Sequence, residues 1–414
     1  MNVTDSLVNR FLLVFWVCAI TLVLAACENP GTVGGSFTDI GSEVVIDTLE
    51  IGPVEIDSIE SYSGRLSYFS SGRFNDPLFG NLTVTGLLRP SLPSASSANE
   101  IEDGATIWLN LAIDQNGVYG DTQASAQFDL VEIDQVWRGK SWQLHDEVQL
   151  AESDPVASFE VSSSDTLKRV PIDIDHEWTR EYIRFYESSE ADRDSSYTYN
   201  FHGLAVVSTE ASPKIVPFDA SESEFIIISP DEEDTTSIGL NQWAYSLQRT
   251  EELPAPEGSV TVHSTLEKVL VFDMDLTEQA FGTVNIAKVD LVFYRNNQVL
   301  NETIQQAPAS ASRPPAPTAR LHFIYPENAS TTLDPGSPIV AGRYDEDDEA
   351  YHFNITAYVN SVLINSQETD RRFYVRLHVN DGTVRSSLLY NHEAAPEKRP
   401  KLIVTSTKSE GSLN

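Results

Sequence analysis

Hydrophobic and polar positions alternate along most of the chain in short runs, the period-two pattern of strands with one buried face. Within residues 106–113, Ile107, Leu109, Leu111 and Ile113 share one face, and Trp108 and Asn110 fall on the other. Val289, Leu291 and Phe293 repeat the pattern in residues 288–294. Phe373, Val375, Leu377 and Val379 alternate with Tyr374, Arg376, His378 and Asn380. Long helical periodicity is scarce. Many short strands between turn residues predict an all-β protein built from antiparallel sandwiches.

The strand runs occur twice in a similar order. The first series passes through residues 82–88, 106–113, 127–133, 169–174, 199–207 and 225–228. The second passes through 268–274, 288–294, 320–325, 352–356, 373–379 and 400–405. Order and strand pattern carry the match, not residue identity. It predicts two tandem jelly-roll-like β-sandwich domains, residues 46–235 and 236–408, followed by a disordered tail at 409–414. Their join is placed between Ser229 and Gln248, around the acidic residues 231–234. Residues 90–104 and 307–319, rich in Ser, Pro or Ala, read as surface loops, the second a mobile or extended excursion. Loops on rigid scaffolds often carry binding.

The N-terminal segment departs from this pattern. Arg10 precedes an almost unbroken apolar run over residues 11–26, and Leu24-Ala25-Ala26-Cys27 closes it. That is the layout of a secretory signal peptide, and its end resembles the lipobox of bacterial lipoproteins. The resemblance implies removal of residues 1–26 and a lipid on Cys27. A spanning helix needs roughly 17–25 apolar residues and a signal core about 7–15, so the run by itself also fits an uncleaved anchor. The cysteines favour the signal. Cys18 would leave with it, and Cys27 would remain as the single thiol, which excludes an internal disulfide or a cysteine-rich zinc site. Residues 27–45, with Pro30, Gly31, Gly34, Gly35 and Gly41, read as a flexible tether.

Charge narrows the partners. With 62 acidic and 27 basic side chains the net charge is −35. Such a surface repels phosphate backbones and anionic headgroups, so no nucleic-acid partner is expected. Solubility is the ordinary use of this acidity, and attraction of a divalent cation is the alternative. A hydrophobic content of 41% fits folded cores rather than disorder.

Two resemblances follow from particular residues. Asp57-Ser58-Ile59, Gly72-Arg73-Phe74-Asn75-Asp76-Pro77-Leu78-Phe79-Gly80 and Tyr119-Gly120-Asp121 make residues 47–145 resemble a family of Bacteroidota-type outer-membrane lipoproteins. That family implies a bacterial outer-membrane location, with the periplasmic or outer face left open, and no assigned activity. Phe272-Asp273-Met274-Asp275-Leu276, residues 287–294, Asn354-Ile355-Thr356 and Arg399-Pro400 followed by Leu402 and Val404 are similar to jelly-roll modules of secreted polysaccharide-degrading proteins. Asn354 stands where those modules carry Asp. The second likeness implies glycan binding, which the alternation itself does not show.

Candidate chemistry is sparse. No Gly-x-Ser-x-Gly elbow is present, and Gly139-Lys140-Ser141 lacks the upstream glycine of a phosphate loop, since Asp134 stands there. The eight histidines show no zinc-ligand spacing. Asp345, Glu346, Asp347, Asp348 and Glu349 form the densest carboxylate cluster; Asp345, Asp347, Asp348 and Glu349 would be the ligands if Ca2+ bound. No other cofactor is implied. Trp137 and Trp142 flank a basic turn, Arg138-Gly139-Lys140, in an acidic chain. Rings of this size are commonly core, and the functional alternative makes Trp108, Trp137 and Trp142 a sugar platform with Asn110 as a hydrogen-bonding neighbour. The sequence therefore predicts a lipid-anchored, non-catalytic envelope protein that binds a polysaccharide or another envelope component. The alternative is a structural or assembly lipoprotein that docks onto outer-membrane proteins.

Overall fold

The computed structural model describes residues 42–94, 100–209, 212–231, 233–276, 285–323, 340–364, 371–377 and 381–409. Cys27, most of the tether and residues 378–380 lie outside them. Two strands open the fold, β1 (Ser42–Glu50) and β2 (Glu55–Asp57). Next come β3 (Tyr68–Asp76), β4 (Gly80–Pro90), β5 (Thr106–Ile113), β6 (Tyr119–Asp121), β7 (Ala126–Glu132), β8 (Ala157–Val161) and β9 (Leu167–Ile172). Helices α1 (Glu177–Glu187) and α2 (Arg193–Asn200) precede β10 (Leu204–Ser208), β11 (Lys214–Ile228) and β12 (Thr235–Thr250). The remainder holds β13 (Ser259–His263), β14 (Val269–Met274), β15 (Asn285–Tyr294), α3 (Asn297–Ile304), β16 (Ala311–Ser312) and β17 (Thr318–Phe323). It closes with β18 (Val340–Asp345), β19 (Ala350–Asn354), α4 (Thr356–Ile364), β20 (Arg371–Leu377), β21 (Ser386–Tyr390) and β22 (Lys401–Ser409).

The chain is all-β in architecture, with large antiparallel sheets in a sandwich-like arrangement. An 11-stranded sheet joins β3–β12 and β16, and folds over a core that includes Ile107, Leu109, Phe128, Val170, Leu204 and Phe225. The inward face of β5 is the one its alternation predicts. A nine-stranded sheet, β1-β22-β15-β19-β18-β17-β20-β14-β2, wraps a second core around Phe272, Leu291, Phe353 and Phe373, with Val359 of α4 packed in. Strands β13 and β21 pair separately across it.

Sheet membership departs from chain order. β1 runs antiparallel to β22, with Leu49 opposite Leu402, so residues 42–45, expected to end a flexible tether, are paired strand instead, and the first strand belongs to the second sheet. β12 pairs with β4 and β11 throughout, so the expected break at 235/236 falls at the first residue of a 16-residue strand of the first sheet. Residues 307–319 are not an excursion: β16 pairs with β6, and Arg313 reaches Asp76. Alternation identifies a strand but not the partner it will find, and each of these partners is far away in sequence.

The seam between the sheets is a shared core. Phe74, Tyr119, Tyr245 and Val384 cluster with Ile304 and Ala311, which come from both parts of the chain. The Asn75-Asp76-Pro77-Leu78-Phe79-Gly80 motif forms the β3–β4 turn at this seam. Asp76 accepts the amides of Leu78 (2.8 Å) and Phe79 (2.9 Å) and the Tyr119 hydroxyl (2.7 Å). Arg313 adds two bonds, Nε at 2.7 Å and Nη2 at 2.6 Å, with side-chain exposures of 4% and 0% for the pair. Burial alone would raise the Asp76 pKa; Arg313 and the turn amides outweigh it and hold the carboxyl below its ordinary value.

A second polar network crosses the seam nearby. Arg249 donates to Glu267 at 2.9 Å, and Thr265 adds a bond at 2.7 Å. Against the upward push of burial, the Arg249 charge leads in bringing Glu267 down to about 2. His263 is fully buried, and burial, then the Arg249 charge, lower its pKa to about 4. Neutral His263 accepts from Ser386 at 2.8 Å and donates to Glu252 at 3.2 Å. The order Ser-His-Glu is that of a hydrolase relay, but Ser386 is buried, at 2% exposure.

Candidate functional site

The basic turn noted in the sequence is held from below by its two indoles. Trp137 and Trp142 are 3% and 6% exposed and pack with Leu87, Ile133, Ala205 and Ala244 on the outer face of the β4–β10–β12 layer. Their rings meet edge to face at 6.1 Å. Anchoring both ends inward leaves the intervening 3-10 turn, Gly139–Ser141, to project outward with Arg138 and Lys140 exposed.

Three more elements close around that turn. Ser63 donates its amide to Trp142 O at 3.1 Å and Arg65 donates to Trp243 O at 3.0 Å, which lays the 61–65 segment beside it. Gly64 permits the approach, because a Cβ there would sit 1.6 Å from Gly139 O. Arg65 has a positive φ of 58°, a left-handed conformation that non-glycine residues adopt at a cost and that clusters at functional positions. On β12 the register slips between Leu240 and Gln242, which places Gln242 opposite Arg89 and makes Asn241 the extra residue. Such a bulge re-aims a side chain. Gln242 Oε1 accepts the Gly139 amide at 3.0 Å, tying strand to turn.

Arg89 forms the floor. It is 2% exposed, and its Nη1 donates to the carbonyls of Thr198 and Phe201, each at 3.2 Å. Its Nε is buried without a hydrogen-bond partner. Burial lowers its pKa, as do the charges of Arg138 and Arg65, while Tyr197 opposes them. No carboxylate enters that balance.

Together these groups line an open pocket of about 330 Å³: Arg65, Arg89, Arg138, Lys140, Thr198, Asn241 and Gln242. Four of the seven are cations and none is acidic. Among the described residues none of the four forms an ion pair with a carboxylate. In a chain of net charge −35 this is a local inversion of sign. Cations brought together without counter-charges repel one another, so the arrangement favours any anion that enters.

The other sequence-derived sites fare differently. Trp137 and Trp142 are too buried to offer ring faces to a sugar; they support the pocket instead of lining it. Trp108, half-buried on β5, carries the Arg169 guanidinium over its ring at 4.5 Å, so that face is already occupied. Asn110 shares its strand, opposite Arg169 and Glu224, and its Oδ1 is buried without a partner. Neither joins the pocket. Asp345, Asp347, Asp348 and Glu349 sit at the β18–β19 turn: Asp345 accepts the Asp347 amide (2.9 Å), Asp348 meets His352 (2.7 Å), and Glu349 accepts from Asn297 (3.0 Å). Among the described residues no three or more His, Cys, Asp or Glu converge in a way that could hold a metal ion. No described helix is long and apolar enough to cross a membrane.

Arg65, Arg89, Thr198, Asn241 and Gln242 were missed by sequence reasoning. One signal was available: Arg89 follows Leu87-Leu88 in an apolar strand, where a charge needs a reason.

No protein-family model matches the chain, and no curated protein matches it. Among solved structures it is similar to the C-terminal domain of the Streptococcus pyogenes antigen I/II-family protein AspA, at 10% identity and a TM-score of 0.16, covering 86% of this chain and 99% of that one. The Macrobrachium rosenbergii nodavirus structure matches at 8% identity and a TM-score of 0.11, covering 89% and 91%. Likenesses this low carry no argument about fold or function.

Proposed function

We propose that this chain is a lipid-anchored, non-catalytic protein of the bacterial outer membrane that binds an acidic polysaccharide in its basic pocket. The observation that carries the reading is the cation quartet around Arg89, which has no carboxylate partner among the described residues. Thr198, Asn241 and Gln242 add neutral hydrogen-bonding groups of the kind that fix sugar hydroxyls. Signal, lipidated Cys27 and tether supply the address, and the rigid sandwich supplies the frame.

Affinity electrophoresis of the purified full-length chain tests this reading. Gels containing polygalacturonate, dextran sulfate or neutral dextran should retard it only where the polymer is acidic. General polyanion attraction cannot produce that result, because the protein as a whole repels polyanions. Equal migration in all gels would contradict it.

One observation favours the docking alternative. β1 is an edge strand, with Val44 and Ile46 56% and 67% exposed. Unpaired edges are templates for another strand. Crosslinking in whole cells that yields a stoichiometric protein adduct through β1 would support it.

A further inference from the structure

We infer that the acidic group the pocket takes is a tetrahedral oxyanion ester, a phosphate or sulfate carried on the glycan, in preference to a carboxylate. The inference rests on the acidic-polysaccharide reading and narrows it.

Geometry is the first reason. The cations come from separate elements: Arg89 from β4 below, Arg138 and Lys140 from the turn, and Arg65 from the 61–65 segment. A carboxylate is planar, with two oxygens that one guanidinium fork can engage edge-on. Donors arriving from three elements suit an anion whose oxygens point out of a single plane. A phosphate or sulfate ester has three such oxygens.

Charge and access are the second. Exposed cations can be left to water, and Arg65, Arg138 and Lys140 are exposed. Arg89 is not: at 2% exposure it rests on the Thr198 and Phe201 carbonyls and the Tyr197 ring, and with no carboxylate paired to it among the described residues, a group inside the pocket is what would supply its counter-charge. Three of the four cations are arginines, the residue suited to phosphate-like groups. A phosphate monoester carries about −1.5 to −2 charges at neutral pH, more than one carboxylate, and so balances more of the quartet; a sulfate ester, singly charged like a carboxylate, is favoured by the geometry alone.

The test measures binding of the full-length chain to phosphomannan, dextran sulfate, polygalacturonate and dextran at one ionic strength. Either or both of the ester polymers should bind at least tenfold more tightly than polygalacturonate, and millimolar inorganic phosphate should release them. Tighter binding of phosphomannan identifies phosphate, tighter binding of dextran sulfate identifies sulfate, and both sustain the inference. Arg89→Lys should cut ester binding about tenfold while changing polygalacturonate binding by less than threefold. If that variant does not fold, the exposed Arg65→Gln should show the same selectivity to a smaller extent. Polygalacturonate bound as tightly as the esters would overturn the inference and leave the acidic-polysaccharide reading standing. No acidic polymer bound at all would overturn both.

Discussion

Arg313 at the seam and Arg89 in the pocket are both withdrawn from water, at 4% side-chain and 2% residue exposure. Arg313 meets both oxygens of Asp76, while Arg89 finds the Thr198 and Phe201 carbonyls and the Tyr197 ring, 5.5 Å away, but no carboxylate among the described residues. A buried charge is tolerated when it is paired. The first arginine is therefore complete within the chain and ties the β3–β4 turn to α3 and the segment after β16. The second has no carboxylate partner among the described residues, and under the proposed function an anionic glycan supplies it. Similar burial with opposite pairing sets a structural charge apart from a candidate functional one, a distinction that residue type and depth alone would miss.

The largest expected effect breaks the complete pair. Asp76→Ala strands Arg313 and should destabilise the protein by about 3–5 kcal/mol, read by denaturant unfolding. A loss below about 1 kcal/mol would mean that Arg313 is no lock.

The seam should also fail in acid. His263 has a folded pKa of about 4 against an ordinary 6.5, so its contribution is complete above 6.5 and is lost as pH falls toward 4. Glu267, at about 2 against 4.5, loses its contribution between 4.5 and 2. Unfolding free energy should therefore decline as pH drops below 6.5, with the His263 step on the order of 3 kcal/mol. His263→Gln should flatten the upper limb; an unchanged profile would show that His263 does not titrate as its burial requires.

On the pocket side, Gly64→Ala puts a Cβ 1.6 Å from Gly139 O, and backbone on both sides must move. A cost of about 1–3 kcal/mol is expected, together with weaker acidic-glycan binding. Retained binding at reduced stability would uncouple the 61–65 segment from the site. The smallest change is Trp108→Ala, which removes the Arg169 stacking contact. It should cost about 0.5–1 kcal/mol and leave glycan binding intact. Lost binding would restore β5 as the platform.

Much of the fold was legible, because a half-buried strand writes its inner face into every second residue, as Ile107, Leu109 and Leu111 do. The pairing was not. Nothing in residues 42–50 announces β22 as their neighbour, and nothing in Ala307–Ala319 composition announces that Arg313 will find Asp76 237 positions away. Helices α1 to α4 were overlooked because each is short, and α4 follows directly on a strand. The site was half legible. A basic turn between two tryptophans in an acidic chain marks the place, and of the two roles open to the rings, core or sugar platform, Trp137 and Trp142 take the first. The floor arginine and the bulged Asn241 depend on register between β4 and β12, which sequence alone does not display.

Calorimetric titration with dextran sulfate, run on the wild-type chain and on Lys140→Glu at one ionic strength, addresses the pocket most directly. With phosphomannan titrated alongside, the account predicts saturable heat for the wild type with at least one of the two ester polymers, at least tenfold weaker binding of that polymer by the variant, and no heat with neutral dextran. Absent heat in the wild type with both, or equal binding by the variant, would contradict it.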